Sequence, residues 1–131
     1  MARIYREMPL NSIWEGAGNI MALDLLRALR GGPVADAIAH ETRAAKGAHP
    51  LLDRATQRLL ARIENGVDEI DARRFARDLA LVTQASLLAQ TAPSAVFAAF
   101  CESRLDGAPD AFGQLGAGTD FDSILKRAAT H

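Results

Sequence analysis

The sequence predicts an all-α protein, an antiparallel bundle of about five to six helices. Apolar residues recur three and four positions apart in successive segments, which is the spacing of one face of a helix. Glycines and prolines separate these segments and stand where helices usually end or begin. No segment alternates apolar and polar residues for long enough to predict a β-strand.

Two glycines separate the first two predicted helices. The first helix covers 19–30, and Gly31 and Gly32 end it. The second covers 33–46 and begins with Pro33, whose fixed φ suits the first position of a helix. The apolar positions of these two helices are Ile20, Met21, Leu23, Leu25, Leu26, Leu29, Val34, Ala37, Ile38 and Ala44.

The third and fourth predicted helices have the clearest apolar periodicity. The third covers 50–65, and the Asn65-Gly66 pair ends it. The fourth begins within 68–71, where acidic residues suit a helix amino terminus, and it continues to about residue 90. Their apolar positions are Leu51, Leu52, Ala55, Leu59, Leu60, Ile63, Ile70, Phe75, Leu79, Val82, Leu87 and Leu88.

The two ends of the chain are predicted to be less regular. A fifth helix at 95–105 precedes a glycine- and proline-rich loop at 106–118, and a short last helix covers 120–129, capped by Thr119 or Asp120. At the amino terminus, 2–7 resembles the last turns of a helix, and Pro9 then directs the chain into an ordered loop. We therefore expect a loop segment at 1–19 and a single helical domain at 19–131.

Composition and charge exclude several classes of protein. The 131 residues are 49% hydrophobic and 24% charged, which is ordinary for a folded domain. Fifteen basic residues face sixteen acidic ones, which argues against a dedicated nucleic-acid or membrane-surface protein. Cys101 is the only cysteine, so no intrachain disulfide can form, and His40 and His49 lie too far from other ligands to predict a metal site. No apolar segment reaches a membrane-spanning length, and we expect a cytoplasmic protein.

The segment around Glu15 combines a carboxylate with apolar and glycine neighbours. Trp14 and Gly16 flank Glu15, and such neighbours can desolvate a carboxylate and raise its pKa, as a general base requires. The Gly16-Ala17-Gly18 turn opens into a helix whose first N–H groups could bind a phosphate or a polar cofactor edge. Alternatively, Glu15 is a capping or solvated acid, and the glycines only turn the chain.

A long sequence motif runs through this same segment. It consists of Arg3, Tyr5, Arg6, Glu7, Pro9, Asn11, Ile13, Trp14, Glu15, Gly16, Gly18 and Asn19, followed by Leu23-Asp24-Leu25-Leu26. Matching tail segments are Phe112-Gly113-Gln114-Leu115 and Asp120-Phe121-Asp122-Ser123-Ile124. This pattern resembles the carboxyl-terminal portion of the FAD-dependent acyl-CoA dehydrogenases, and most of all their AidB-like branch.

The resemblance implies a fold, a cofactor and a catalytic residue. It implies the helical carboxyl-terminal domain of an enzyme that dehydrogenates an acyl-CoA, with Glu15 as the base that removes the α-proton. The residues implied to approach the FAD are Trp14, Gly16, Ala17, Gly18 and Asn19. Ala17 departs from the family, where a hydroxyl residue is often found.

The same resemblance implies that other domains are needed for activity. In the family, an amino-terminal helical domain and a middle β-domain form most of the FAD and acyl-CoA pockets. We therefore expect this chain alone to be inactive and to bind no FAD. We also expect a homo-oligomer, because the family's carboxyl-terminal helices pack between subunits.

Two groups of arginines predict an alternative function. They are Arg54, Arg58 and Arg62 on the third helix and Arg73, Arg74 and Arg77 on the fourth. Proteins of the AidB-like branch bind DNA through their carboxyl-terminal helices, so these arginines are the candidate DNA contacts. Acidic residues lie among them, so a solvated mixed-charge surface is the simpler interpretation, and any DNA binding should be weak. The alternative is thus a stand-alone helical domain for oligomerisation or DNA binding.

Overall fold

A computed structural model describes residues 2–12, 17–106 and 118–129 of the chain. Helices account for 82% of these residues, and no strand occurs among them, which confirms the all-α prediction. The α-helices are α1 (Ala2–Glu7), α2 (Gly18–Leu29), α3 (Pro33–Arg43), α4 (Pro50–Asn65), α5 (Ala72–Thr91), α6 (Ser94–Arg104) and α7 (Phe121–Ala129). Two 3-10 helices cover Met8–Ser12 and Glu69–Asp71.

Helix α5 lies at the centre of the bundle and contacts α2, α3, α4 and α6. Its side chains Phe75 and Val82 are almost completely buried, as are Leu52 and Leu59 on α4 and Cys101 on α6. Burying a large apolar side chain of this kind contributes about 1.5–3 kcal/mol to folding. The packing of α4 and α6 against α5 therefore supplies much of the core.

Proline and glycine set the helix boundaries at several predicted places. Pro33 and Pro50 are the first residues of α3 and α4, where a missing N–H costs no hydrogen bond. Gly66 ends α4 with φ at +81°, and Gly32 precedes α3 with φ at +86°. Both values lie in the region that a side chain disfavours, so the predicted helix ends have a direct conformational cause.

The structure corrects three predicted boundaries. Residues Met8–Ser12 form a 3-10 helix that follows α1 directly, instead of a loop: Pro9 lacks a backbone donor, which ends the α-helical bonding without excluding a 3-10 turn. Helix α3 ends at Arg43, and the chain then turns through residues 44–47. A 3-10 turn at Glu69–Asp71 precedes α5. Most of the predicted loop at 106–118 lies outside the described residues.

Candidate functional site

The structure describes the second half of the predicted cofactor-binding turn. The predicted base Glu15 and its neighbours Trp14 and Gly16 lie outside the described residues. Ala17 has an extended backbone, and its carbonyl oxygen accepts hydrogen bonds from the N–H groups of Ile20, at 2.9 Å, and Met21, at 3.2 Å. This bonding starts α2 and leaves the first N–H groups of the helix without an acceptor inside it.

Arg73 of α5 connects this helix start to the centre of the bundle. Its Nη1 donates a hydrogen bond to Asn19 Oδ1 at 3.2 Å, although the two residues are 54 positions apart. The same Nη1 lies 2.8 Å from the place where a Cβ on Gly18 would be. A side chain at position 18 would therefore displace the guanidinium. The two predicted cofactor-binding residues Gly18 and Asn19 thus share one partner.

The described residues of the turn are compatible with a flavin cofactor. The N–H groups of Gly18 and Asn19, at the start of α2, have no acceptor within the helix, and the Asn19 amide and the Arg73 guanidinium lie beside them. Donors of this kind suit the phosphates or the polar ring edge of FAD. The space next to the Gly18 Cα holds the Arg73 guanidinium, so a cofactor would approach this turn from another side.

The six arginines predicted to contact DNA have different surroundings. Three pair with carboxylates: Arg62 with Asp78 at 2.9 Å, Arg77 with Asp78 at 2.8 Å, and Arg74 with Asp71 at 3.5 Å. Arg73 is held by Asn19. Arg54 and Arg58 are exposed, and neither forms a hydrogen bond or ion pair with a residue that the structure describes. The arginines therefore do not form one uniform basic surface.

A cavity of about 350 Å³ lies between α4, α5 and α6. Arg58 and Arg62 of α4, Arg77 and Asp78 of α5, and Arg104 of α6 line it, together with aliphatic side chains. Sequence reasoning singled out the first three arginines but missed Arg104. No spacing along the chain could have found it, since α6 meets α4 only after folding. Arg54, Arg73 and Arg74 do not line this cavity.

Two other residues considered from the sequence have structural roles. Cys101 is completely buried, as expected for a small apolar residue, and burial raises its pKa to about 11, with a smaller contribution from Glu102. A thiol with such a pKa is a poor nucleophile near neutral pH. His49 caps α4: its Nδ1 accepts a hydrogen bond from the Leu51 N–H at 3.2 Å. Its ring also meets the Phe97 ring edge to face, with centroids 5.9 Å apart.

The described parts of the chain contain neither a cluster of metal ligands nor a helix that could span a membrane. No group of three or more histidine, cysteine or acidic side chains is arranged there to hold a metal ion. Nor is any of the described helices long and apolar enough to cross a membrane.

Comparison with known proteins identifies one informative relative. The chain is 36% identical over 107 residues to "Putative acyl-CoA dehydrogenase AidB" of Escherichia coli (strain K12). The matched region is 81% of this chain but only 20% of that protein, so the chain spans about a fifth of the length of its relative. No protein-family model matches the chain, and no solved structure matches it. The similarity confirms the relationship expected from the sequence motif.

Proposed function

We propose that this chain, a relative of the acyl-CoA dehydrogenases, is the carboxyl-terminal helical domain of a flavin-dependent member of their AidB-like branch. The observation that carries this proposal is the 36% identity, which extends over 81% of the chain. The motif from Arg3 to Asn19 supports it, because its residue order resembles that branch. The proposed domain comprises residues 19–131, and residues 1–19 lead into it.

In the complete protein, Glu15 is the proposed base for α,β-dehydrogenation of an acyl-CoA. Its carboxylate takes the proton from Cα, the C–H electrons form the new Cα–Cβ double bond, and a hydride leaves Cβ. FAD supplies the hydride acceptor when it is bound. Trp14 and Gly16 shape the surroundings of the base, while Ala17, Gly18 and Asn19 present the donors of the α2 start to the cofactor.

Arg73 supports this arrangement by fixing the start of α2. Its hydrogen bond to Asn19 anchors the described end of the motif to the central helix. Base and cofactor must lie on opposite sides of the substrate bond, and such placement contributes strongly to the rate. An anchored helix start limits the positions that the preceding Glu15 segment can adopt.

Substitution of Glu15 in the complete protein tests the proposal. Glu15→Gln keeps the shape of the side chain but removes the base, so FAD should stay bound while flavin reduction by an acyl-CoA falls by several orders of magnitude. Glu64→Gln, an exposed acid at the end of α4, is the matched control and should reduce its flavin normally. A Glu15→Gln protein that reduces its flavin at the unsubstituted rate would refute the assignment.

The 131-residue chain alone provides a second test. The proposed domain supplies one wall of the pocket, and the remaining walls belong to domains that it does not contain. It should therefore purify without colour and show no dehydrogenase activity. A yellow preparation containing stoichiometric FAD would contradict the proposal, because this part of the enzyme would then bind flavin by itself.

The complete protein is further proposed to be a cytoplasmic homo-oligomer. Exposed apolar side chains support self-association: Ile20 and Met21 of α2 are more than half exposed, and Ile70 is 93% exposed. Apolar side chains at such positions favour burial against another chain. Light scattering of the chain at high concentration should show a dimer or larger species, and the substitutions Met21→Gln and Ile70→Ser should shift it toward the monomer. A monomer at all concentrations would contradict this.

The alternative is a stand-alone helical domain that oligomerises or binds DNA. The observation that favours it is the exposed pair Arg54 and Arg58, whose charges no described carboxylate neutralises. Their positions one helical turn apart on α4 would allow both to contact a phosphate backbone. The two functions differ in their need for Glu15, since DNA binding would survive the Glu15→Gln substitution.

A further inference from the structure

We propose that the cavity between α4, α5 and α6 is a binding site for a small phosphate monoester, such as a mononucleotide. This site is separate from the predicted cofactor-binding turn, because none of Ala17, Gly18 and Asn19 lines it. It also does not depend on the proposed dehydrogenase function. The kind of ligand follows from the charge of the lining residues, from the contacts that position the arginines, and from the volume of the cavity.

The lining of the cavity is strongly basic. Three arginines, Arg58, Arg62 and Arg77, surround one carboxylate, that of Asp78, which leaves these four side chains with a formal charge of +2, and Arg104 also lines the cavity. The chain as a whole carries −1, so the basic side chains are concentrated at this place. A concave site with charge of one sign attracts ligands of the other sign. A dianion suits such a site better than a single carboxylate does.

Asp78 holds two of these arginines in place. Its Oδ2 accepts a hydrogen bond from Arg62 Nη1 at 2.9 Å, and its Oδ1 accepts from both Nε and Nη2 of Arg77, at 3.1 and 2.8 Å. The Arg62 guanidinium also lies 5.3 Å from the centre of the Phe75 ring. Each guanidinium has five N–H donors, so donors remain for a ligand. Side chains that are ordered before binding lose less entropy when they bind.

Arg58 contributes a charge that no described carboxylate compensates. It is exposed at the cavity and forms no ion pair with any described residue, in contrast to Arg62 and Arg77. A guanidinium binds phosphate oxygens with two parallel hydrogen bonds, which a point charge cannot do. Arg58 is therefore the residue that should gain most from an incoming phosphate, and its replacement breaks no hydrogen bond or ion pair among the described residues.

Size and polarity define the rest of the ligand. The volume of about 350 Å³ is near the lower end of the range for small-molecule pockets. Leu59, Leu81 and Val82 form part of the wall, so an apolar or planar group next to the phosphate can be buried there. A DNA duplex is too wide to enter such a cavity and could contact only its rim. The geometry thus favours a phosphorylated metabolite over a nucleic-acid backbone.

Titration of the 131-residue chain with AMP, adenosine and inorganic phosphate tests this proposal. AMP should bind with a dissociation constant in the millimolar range or below and should raise the melting temperature, whereas adenosine should do neither. Inorganic phosphate should compete with AMP. If inorganic phosphate binds as tightly as AMP, the phosphate group is the whole ligand, and the arginines of the cavity remain its binding site.

Variants on one helix provide the matched comparison. Arg58→Ala should weaken AMP binding about tenfold or more, because one charge-assisted bidentate contact is lost. Arg58→Lys should restore part of the affinity. Arg54→Ala removes an exposed arginine one turn earlier, outside the cavity, and should leave binding unchanged. Circular dichroism should show all three variants folded.

Three results would overturn the proposal. They are absence of AMP binding at millimolar concentration, equal losses in Arg54→Ala and Arg58→Ala, and binding of duplex DNA through Arg58 with no binding of AMP. The last result would assign these arginines to contacts with a phosphate backbone instead.

Discussion

Gly18 and Arg73 show how one missing side chain can determine a tertiary contact. The guanidinium of Arg73 lies where a Cβ on Gly18 would be, and it bonds to the neighbouring Asn19. The Arg73 guanidinium is the far end of a flexible chain, so an added methyl group would move it without disturbing the backbone. The absence of a side chain at Gly18 therefore preserves the Arg73–Asn19 contact, and the fold itself does not require it.

We therefore expect Gly18→Ala and Arg73→Ala to be energetically coupled. In the unsubstituted chain, the helix-favouring effect of alanine, about 0.5–1 kcal/mol in a helix interior and less at its first turn, should be cancelled by displacement of the guanidinium. In the Arg73→Ala background, Gly18→Ala should stabilise the protein by a few tenths of a kcal/mol. Urea unfolding of the unsubstituted chain, the two single variants and the double variant measures this coupling. Arg74→Ala is the control, and it should be additive with Gly18→Ala.

Cys101 gives a second prediction, on pH dependence. Its pKa is about 11 in the folded chain, against an ordinary value of 9.0, because burial disfavours the thiolate. As pH rises between these values, the unfolded chain releases the proton first, so the stability contributed by the neutral thiol is present below pH 9 and is lost as the pH rises through about 11. The Cys101→Ala protein should lack this component of the alkaline decrease in stability. Identical pH profiles for the two proteins would contradict the burial argument.

At this scale the sequence predicted some partners and not others. The motif selects Gly18 and Asn19, whereas the position of Arg73 in the sequence only places it among the candidate DNA contacts. Its partner lies 54 positions away, and that proximity exists only after α2 packs on α5. Arg104 was missed for the same reason.

Helices were more predictable than contacts, because local chemistry sets their ends. Pro33, Pro50 and Gly66 act through their own backbone geometry, and the predicted boundaries at these residues agree with α3 and α4. The exception is Met8–Ser12, where Pro9 was expected to exclude helix. Proline removes one backbone donor and so ends the α-helical bonding, but a 3-10 turn can follow directly, and the sequence does not show which of the two conformations the chain takes.

His49 has two roles between α4 and α6. It caps the start of α4, and its ring contacts the ring of Phe97 on α6. His49→Asn should keep the cap, since asparagine is a good capping residue, but lose the contact with Phe97, at a cost of about 0.5–1.5 kcal/mol. His49→Ala should cost about 1 kcal/mol more, because the cap is lost as well. Thermal unfolding of the unsubstituted protein and these two variants, followed by the circular dichroism of the helices, provides the comparison. In a Phe97→Leu background the Asn substitution should cost less, and an unchanged cost would exclude the ring contact as its cause.

For the whole molecule, charge balance predicts how the chain meets DNA. Three of the six candidate arginines pair with two carboxylates, those of Asp71 and Asp78, and the net charge of the chain is −1. The six arginines less these two carboxylates leave about four charges that can replace counterions, so the logarithm of affinity should fall with a slope of about −4 or less steeply against the logarithm of salt concentration. Binding should be undetectable near physiological salt. A tight complex there, abolished by Arg54→Ala with Arg58→Ala, would show a larger basic surface than these ion pairs allow.

The central position of α5 has a consequence for the order in which the molecule is assembled during synthesis. Helices α2, α3 and α4 leave the ribosome before α5 does. Each of them nevertheless packs against α5, which ends at Thr91. Their apolar faces therefore lack their main native partner until α5 has been made, and the nascent chain should stay protease-sensitive and available to chaperones until then. The transition state of refolding should contain α5, so Val82→Ala should slow folding more than it accelerates unfolding.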